Sequence, residues 1–398
     1  MFHEPEDKSI SRREEEIRST FVQGAERDEG EELQLHGSGA MHQRTPMPNS
    51  AAAGGDTAES LLSKSKGLLV GKYELFGDVE VVWQLPPKDK PTEGVLLYAH
   101  GCNHGAIDLW PKSESCPQCI GLPEEMNITL HSLLRGYAVV AVSSRARVPP
   151  NCWQSFWIHG PGFDPPSQHE DFIDWHRVKR VLDTLLPREG LSRLPLFALG
   201  GSSGGGFVLG LPGVMPGRVA GVAVQGQGGP PSIAREYRTI SGETYPPTVF
   251  VHMPRDTTTA QVVAKDIDAF RKEGVVVREV RVHPQPLTPL YLAQRCAPEI
   301  DEPTSRAIHE AFRAADYIDE VGYLRHNPRD APSWRQMLID ARLPGWDRLH
   351  VPVAQANALA EELNLLFAGH ELTSETTTDM LDFLEGARRQ EARGAQAA

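Results

Sequence analysis

The feature that most constrains the fold is an apolar run that ends in a glycine-rich turn. Leu196-Phe-Ala-Leu199 is followed directly by Gly200-Gly-Ser-Ser-Gly204, and a second apolar run begins at Phe207. This order predicts a buried strand, a sharp turn and the start of a helix. On such a turn a serine has a strained backbone and an exposed hydroxyl, and glycines are needed where a Cβ atom would clash. The N–H groups at the start of the helix favour negative charge nearby.

Two serines of this turn are candidate nucleophiles. The frame Gly200-Gly-Ser-Ser-Gly204 selects Ser202, and the same motif moved by one residue selects Ser203. We favour Ser202 because the apolar strand then ends immediately before the first motif glycine. A flexible Gly/Ser linker would not lie between two apolar runs. A phosphate-binding loop would carry a lysine before its serine or threonine, and this turn has none.

Size, charge and cysteine content limit the classes of partner and compartment. A chain of 398 residues with a formal charge of −13 suits one large domain and is a poor match for nucleic acid or an anionic membrane. No apolar run approaches the roughly 20 residues needed to span a bilayer. The N-terminal residues are acidic and lack a signal-peptide pattern, and five cysteines are too few for a disulfide-stapled secreted scaffold. We therefore expect a cytoplasmic protein with a small-molecule substrate, no membrane span and no cofactor. The pattern leaves the oligomeric state open.

Short apolar runs alternate with helical patterns through the middle of the chain. Strands are predicted over 72–76, 79–83, 95–99, 137–142, 196–199, 219–224, 248–253 and 275–282. Helices are predicted between them over 171–186 and 260–272. Strands that are apolar on both faces and alternate with helices predict an α/β fold, with a mainly parallel sheet flanked by helices.

The chain divides into five predicted segments. Residues 1–65 are acidic and poor in large apolar residues, which predicts a disordered tail and linker. The α/β core covers 66–286, a helical insertion covers 287–353, and 354–386 returns to the core. Residues 387–398 are predicted to be a disordered tail.

A catalytic serine needs a base and a third group that orients the base. In hydrolases with this type of turn, the chain order is serine, acid, histidine. Asp256 follows the strand that ends at Met253, where the acid is expected, although an aspartate there would also cap the next helix. We favour His370 as the base because it precedes the closing helix. His283, at the end of the last strand, is the alternative base.

The segment His100-Gly-Cys-Asn-His-Gly105 follows the strand over 95–99 and predicts an oxyanion-binding loop. Acyl transfer creates an oxyanion that two backbone N–H groups must meet. One donor is the residue after the nucleophile, here Ser203, and the other comes from the loop after the third strand, here Cys102. A plain glycine turn is the alternative interpretation of this segment.

Cys116-Pro-Gln-Cys119 has three interpretations: half of a metal site, a disulfide or redox pair, or loop packing. A structural zinc needs four ligands, and the spacing to the other cysteines fits no standard zinc finger. A thioredoxin-like pair would lie at the start of a helix after the first strand, which is not the position here. We favour loop packing and expect no metal.

Together these motifs resemble the α/β-hydrolase superfamily over residues 71–384, and within it a set of poorly characterised plant and algal hydrolase-like proteins. The segments that carry the resemblance span 99–102, 116–125, 199–205, 250–256 and 370–374. The resemblance implies Ser202 as nucleophile and His370 as base. The chain departs from the superfamily's usual pattern in one respect. Its long helical segment lies between the last strand and His370, whereas the helical lid of such hydrolases more often follows the sixth strand.

The sequence therefore predicts a serine hydrolase that cleaves an ester, thioester or amide of a small or medium substrate through an acyl-enzyme. A carboxylesterase or thioesterase is favoured over a peptidase. The alternative is a catalytically inactive protein of the same fold that binds a small molecule or a protein partner.

Overall fold

The computed structural model describes residues 67–154, 174–297, 300–330, 333–341 and 358–397. The predicted tail over 1–65 lies outside these residues, as does 342–353, the last part of the predicted insertion.

Eight strands form one sheet. They are β1 (Lys72–Phe76), β2 (Val79–Gln84), β3 (Gly94–Ala99), β4 (Tyr137–Val142), β5 (Leu196–Gly201), β6 (Val219–Gln225), β7 (Thr248–His252) and β8 (Val277–Arg281). Their order across the sheet is β1-β2-β4-β3-β5-β6-β7-β8. β2 pairs antiparallel with β1 and β4, and the remaining pairs are parallel. This mainly parallel sheet has the strand order of the α/β-hydrolase fold, so the predicted fold class is confirmed.

Ten α-helices accompany the strands within the described residues. They are α1 (Pro123–Leu134), α2 (Asp174–Arg188), α3 (Ser203–Val214), α4 (Ile233–Ser241), α5 (Thr257–Lys272), α6 (Tyr291–Arg295), α7 (Glu302–Ala314), α8 (Ser333–Asp340), α9 (Ala358–Phe367) and α10 (Thr377–Ala397). A 3-10 helix spans Ala106–Leu109.

Both faces of the sheet are covered, which explains the almost wholly apolar central strands. Alternate residues of β3 point to opposite faces: Val95 and Leu97 join one apolar cluster, and Leu96 and Tyr98 join another. Side chains of α2, α3, α4 and α5 complete the first cluster, and those of α1 and α10 complete the second. Every residue of β3, β4 and β5 is buried. The hydrophobic pattern of these runs thus reflects a two-sided core.

A third apolar cluster belongs to the helices that follow β8. It includes Leu292 of α6, Phe312 of α7, Trp334 of α8 and Leu363 of α9. These helices lie in and just after the predicted insertion, 287–353, whose boundaries stay a prediction. No helix among the described segments is both long enough and apolar enough to cross a bilayer.

The structure differs from the sequence interpretation at the C-terminus. The composition predicts a disordered tail over 387–398, whereas α10 continues to Ala397. The run is rich in Ala, Arg, Glu and Gln, which have high helix propensity. Glu385 and Arg389 form an i,i+4 ion pair on it.

The cysteines also differ from expectation, because four of the five form disulfides. Cys116 pairs with Cys119, and Cys102 pairs with Cys152 across 50 residues of chain. The preference for loop packing at Cys116 and Cys119 is therefore wrong in this structure. Local spacing does not reveal the second pair, since β4 and its following loop must fold back beside β3 to bring Cys152 to Cys102. Cys296 is buried and belongs to neither disulfide.

Candidate active site

Ser202 lies at the sharp turn between β5 and α3, at the carboxyl end of the parallel strands. Its backbone has φ +48° and ψ −117°, a conformation that non-glycine residues rarely adopt. The Ser202 N–H donates a hydrogen bond to the carbonyl of Gln225 at 2.8 Å, which fixes the turn against β6. The strained turn predicted from the sequence is therefore present, and α3 begins at the next residue.

The motif glycines are required by close backbone approach. A Cβ atom on Gly200 would lie 2.1 Å from the carbonyl oxygen of Gly204. One on Gly204 would lie 2.2 Å from the carbonyl oxygen of Ala99, at the end of β3. Carbonyl groups of the backbone cannot move aside as a side chain can, so both positions exclude any larger residue.

His370 lies between the hydroxyl of Ser202 and the carboxylate of Asp256. Its Nε2 atom is 3.0 Å from Ser202 Oγ, and its Nδ1 atom is 2.6 Å from Asp256 Oδ2. The three residues come from the ends of β5 and β7 and from the loop between α9 and α10. An imidazole held in this way can take a hydroxyl proton on Nε2 while a carboxylate stabilises the charge that develops.

Asp256 contacts His370 and also caps a helix, the two possibilities that the sequence left open for this residue. It is the N-cap of α5: its Oδ1 atom accepts from the Thr259 N–H at 3.0 Å, and Oδ2 accepts from the Thr259 hydroxyl at 2.6 Å. Burial alone would raise the pKa of Asp256, but the Thr259 hydrogen bonds and the contact with His370 hold that pKa below its usual value. The carboxylate is thus kept ionised and fixed in position.

Ser203, the alternative nucleophile, and His283, the alternative base, have different surroundings. Ser203 Oγ accepts a hydrogen bond from the Trp153 N–H at 3.3 Å. His283 is exposed and follows the edge strand β8. The geometry therefore groups Ser202, rather than Ser203, with His370.

The predicted oxyanion loop passes beside Ser202. An added Cβ atom on Gly101 would lie 3.6 Å from the Cβ of Ser202, which places Cys102 next to the nucleophile candidate. The disulfide from Cys102 to Cys152 and the hydrogen bond from the Asn103 N–H to the Pro150 carbonyl tie this loop to the segment after β4. Ser203 N–H opens α3, where helical N–H groups lack intrahelical partners. The assignment of these two donors stays a prediction.

His100 holds the start of this loop, a role that sequence reasoning missed. Its Nε2 atom accepts from the Ser144 N–H at 3.0 Å, so Nδ1 carries the proton and donates to the Gly101 carbonyl at 2.6 Å. Burial lowers the pKa of His100 to about 4, which keeps the ring neutral. The position of His100 directly after an apolar strand is the sequence signal that could have marked it. Its partner Ser144 follows a different strand, so the sequence around His100 does not predict the contact.

Gln225 was also missed, and it anchors the loop that carries His370. Its side-chain amide donates to the Thr373 carbonyl at 3.0 Å and accepts from the Thr373 N–H at 2.9 Å. The same residue's carbonyl accepts from Ser202. One residue at the end of β6 therefore fixes both the nucleophile turn and the histidine loop.

Two adjoining cavities open at the site. The smaller, about 130 Å³, is lined by Ser202 and His370, and the larger, about 290 Å³, by Glu361, Asn364 and other polar side chains. They share the lining residues Cys102, Asn103, His104, Arg329 and Glu371. Beside them, His104, Asp108 and Glu125 form a group whose ligand atoms could hold a metal ion.

No protein-family model matches the sequence, and no curated protein matches it either. Among solved structures, a thermostable esterase is 14% identical with a TM-score of 0.39, over 55% of this chain and 56% of that one. A dienelactone hydrolase from Anabaena variabilis is 16% identical with a TM-score of 0.35, over 54% and 84%. An acetyl xylan esterase from Aspergillus awamori is 14% identical with a TM-score of 0.38, over 51% and 80%.

The matched region therefore spans little more than half of the thermostable esterase. The narrower resemblance to plant and algal proteins finds no support in these structures.

Proposed function

We propose that this protein is a serine hydrolase that cleaves an ester, thioester or amide of a small or medium substrate through an acyl-enzyme. Ser202 is the nucleophile, His370 the general base and Asp256 the group that orients the imidazole. The observation that carries the proposal is the position of His370, within hydrogen-bond reach of Ser202 Oγ and Asp256 Oδ2 at the same time. A carboxylesterase or thioesterase is favoured over a peptidase.

In the first half-reaction, Ser202 Oγ attacks the substrate's carbonyl carbon while its proton passes to Nε2 of His370. The tetrahedral intermediate then collapses, and His370 returns that proton to the leaving alkoxide, thiolate or amine. In the second half, His370 takes a proton from water, the hydroxide attacks the acyl-enzyme, and Ser202 leaves with the proton restored. Asp256 stays ionised throughout and stabilises the imidazolium.

The oxyanion of each intermediate is held by the backbone N–H groups of Cys102 and Ser203. Loss of one such donor typically lowers kcat by about 100- to 1,000-fold. The disulfide and the His100 hydrogen bonds keep the Cys102 loop in place before substrate binds. Such preorganisation is what makes these donors effective, since no reorganisation is needed as charge develops.

The alternative is a protein of this fold that has lost catalysis and binds a small molecule or a protein partner. The intact hydrogen-bonded relay favours hydrolysis. A strained backbone is energetically costly and is typical of functional sites, and here the strained residue is the serine next to the base. Nucleic acid is a poor partner for a chain of charge −13. A cytoplasmic location stays a prediction.

A fluorophosphonate probe and short p-nitrophenyl esters test the proposal. The wild-type chain should be labelled on Ser202 and should turn over the esters, and Ser202→Ala should lose both. Ser203→Ala is the matched control for the adjacent hydroxyl and should still be labelled. His370→Ala should also lose labelling and turnover, and His283→Ala, its matched control, should keep both. A wild-type protein that shows neither labelling nor turnover would favour the binding function.

A further inference from the structure

A histidine and several carboxylates that the proposed hydrolysis does not use lie beside the catalytic cavity. Nδ1 of His104 is 3.1 Å from Asp108 Oδ2 and 3.2 Å from Glu125 Oε1. One potential ligand atom from each of these residues lies within 4.8 Å of the other two. His104 lines both cavities, so the group is next to the space that a small solute would enter.

The two carboxylates are held in place by the fold. Asp108 belongs to the 3-10 helix after β3, and its Oδ2 atom accepts from the Gly105 N–H at 2.9 Å. Glu125 lies in the first turn of α1 and is fully buried. A buried carboxylate is costly unless positive charge or hydrogen-bond donors surround it. The ion-pair partner that the described residues offer Glu125 is His104.

A further carboxylate from α9 makes the need for positive charge greater. Glu361 is 6% exposed, and its side chain lines the larger cavity. Within the described part of the chain, neither of its carboxylate oxygens has a hydrogen-bond partner. Apart from burial, the charge of Glu125 is the main cause that raises the pKa of Glu361. Two buried carboxylates that repel each other are stabilised by a cation or a proton near them.

We propose that His104, Asp108 and Glu125 bind one divalent cation of the Zn²⁺ or Mn²⁺ type and that the neighbouring Glu361 carboxylate completes the ligand set. Zn²⁺ and Mn²⁺ accept an imidazole together with carboxylates. Mg²⁺ and Ca²⁺ prefer ligand sets made only of oxygen atoms, so this group suits them less well. Two ligand atoms bound at about 2.1 Å lie about 3.0 Å apart at a right angle and about 3.4 Å apart at the tetrahedral angle typical of Zn²⁺. The distances from His104 Nδ1 to Asp108 Oδ2 and Glu125 Oε1 lie between these values.

This site departs from the sequence expectation of no metal, and the proposed hydrolysis uses none of its residues. Its ligands come from the loop after β3, the 3-10 helix, α1 and α9, so the cation joins the sheet domain's helices to the helices after β8. Binding should therefore stabilise the folded chain as well as neutralise the cluster.

The experiment uses the full chain stripped with EDTA and dialysed, then titrated separately with MnCl₂ and ZnCl₂ by calorimetry. We expect one equivalent of at least one ion to bind, with a rise in Tm. Glu361→Gln and Glu125→Gln should each weaken binding at least tenfold. Glu310→Gln on α7 is the matched control: it removes an exposed carboxylate and should leave the affinity unchanged.

A second measurement does not depend on whether the carboxylate variants fold. Electron spin-echo spectra of Mn²⁺ bound to the wild-type chain should show coupling to a histidine nitrogen, and His104→Gln should remove it. The proposal is overturned if neither ion binds at one equivalent, or if bound Mn²⁺ shows no nitrogen. It is also overturned if Glu361→Gln and Glu125→Gln bind as wild type does. A rise in Tm for these variants without any response to either ion would mean that the cluster holds a proton, and this result too would overturn the proposal.

Discussion

Nδ1 of His370 lies 2.6 Å from Oδ2 of Asp256, on a carboxylate that also caps helix α5 through Thr259. The cap fixes the carboxylate, the carboxylate fixes the imidazole, and the imidazole meets Ser202. The position of the candidate base is therefore set by the start of a helix 114 residues earlier in the chain.

Asp256→Asn should separate these two roles. Asparagine caps helices as well as aspartate does, so the free energy of unfolding should change by less than about 1 kcal/mol. Its amide cannot hold the imidazole in the required tautomer, so kcat for p-nitrophenyl esters should fall by roughly 10⁴-fold. Urea denaturation and steady-state kinetics measure the two effects. Asp268→Asn, an exposed site on the same helix, is the control; an Asp256→Asn enzyme as active as this control would refute the orienting role.

Gly204→Ala should destabilise the nucleophile turn. The added methyl would lie 2.2 Å from the carbonyl oxygen of Ala99, and the two backbones would have to separate. We expect a loss of more than about 3 kcal/mol or failure to fold. Gly213→Ala is the matched control on the same helix, because a Cβ there meets nothing within 4 Å. It should be neutral or stabilising by up to about 1 kcal/mol. Equal melting temperatures for the two variants would contradict the close approach.

Arg295→Met should strongly destabilise the junction between α6 and the sheet domain. Arg295 is paired with Glu124 of α1 and, at 3.3 Å, with Glu362 of α9, both fully buried. Removing the cation leaves two buried carboxylates without their ion-pair partner, which costs about 3–5 kcal/mol. Arg306→Met removes an arginine from an exposed pair with Glu302 and should cost less than about 1 kcal/mol. Denaturant titration of both variants measures the difference, and similar midpoints would rule out the buried network.

The sheet could be predicted from sequence because its signals are local. β4 has the predicted bounds, 137–142, since six consecutive apolar residues between polar turns specify a buried strand. The sequence pattern does not predict helix α1. Nearly all of its residues are buried, Glu124 and Glu125 among them, so it lacks the one-sided apolar stripe by which helices are recognised.

The candidate site and its supporting contacts were predictable only in part, because sequence signals are local and many contacts join distant segments. Chain order and motif spacing selected Ser202, Asp256 and His370, and the structure brings them together. The pairing of Arg295 with Glu124 joins chain segments 171 residues apart, and no local pattern marks it. A charged residue in sequence is usually on the surface, and only the three-dimensional contacts identify one that is buried.

A thiol count tests the two disulfides. Of the five cysteines, Cys296 alone should react with a thiol reagent when the chain is unfolded without reductant. All five should react after reduction. The expected result is thus one thiol per chain before reduction, measured on protein alkylated at the moment of lysis. Five thiols before reduction would contradict both disulfides and would agree with the reducing cytoplasm expected from the sequence.

Asp266 should make the protein less stable as the pH rises from about 4 to 7. This residue of α5 is buried; its Oδ2 accepts from the Gly229 N–H at 2.6 Å, and its Oδ1 has no hydrogen-bond partner among the described residues. Burial raises the pKa of Asp266 to about 7, although the Gly229 hydrogen bond opposes the shift. Between its ordinary pKa and this value, the folded chain holds a proton that the unfolded chain has lost. Stability therefore falls with rising pH in that window, by an amount on the order of 4 kcal/mol, and the loss persists above it.

Asp266→Asn removes this titration while keeping an acceptor for the Gly229 N–H. The variant should melt at a higher temperature than wild type at pH 8, because the buried charge is gone, and the difference should shrink toward pH 5, where wild-type Asp266 is itself neutral. Asp268→Asn, exposed on the same helix, should show a difference from wild type that does not change over this range. Melting curves of the three proteins at pH 5, 6, 7 and 8 provide the measurement. A constant offset between Asp266→Asn and wild type would mean that the carboxyl titrates alike in the folded and unfolded chains, and the burial argument would fail.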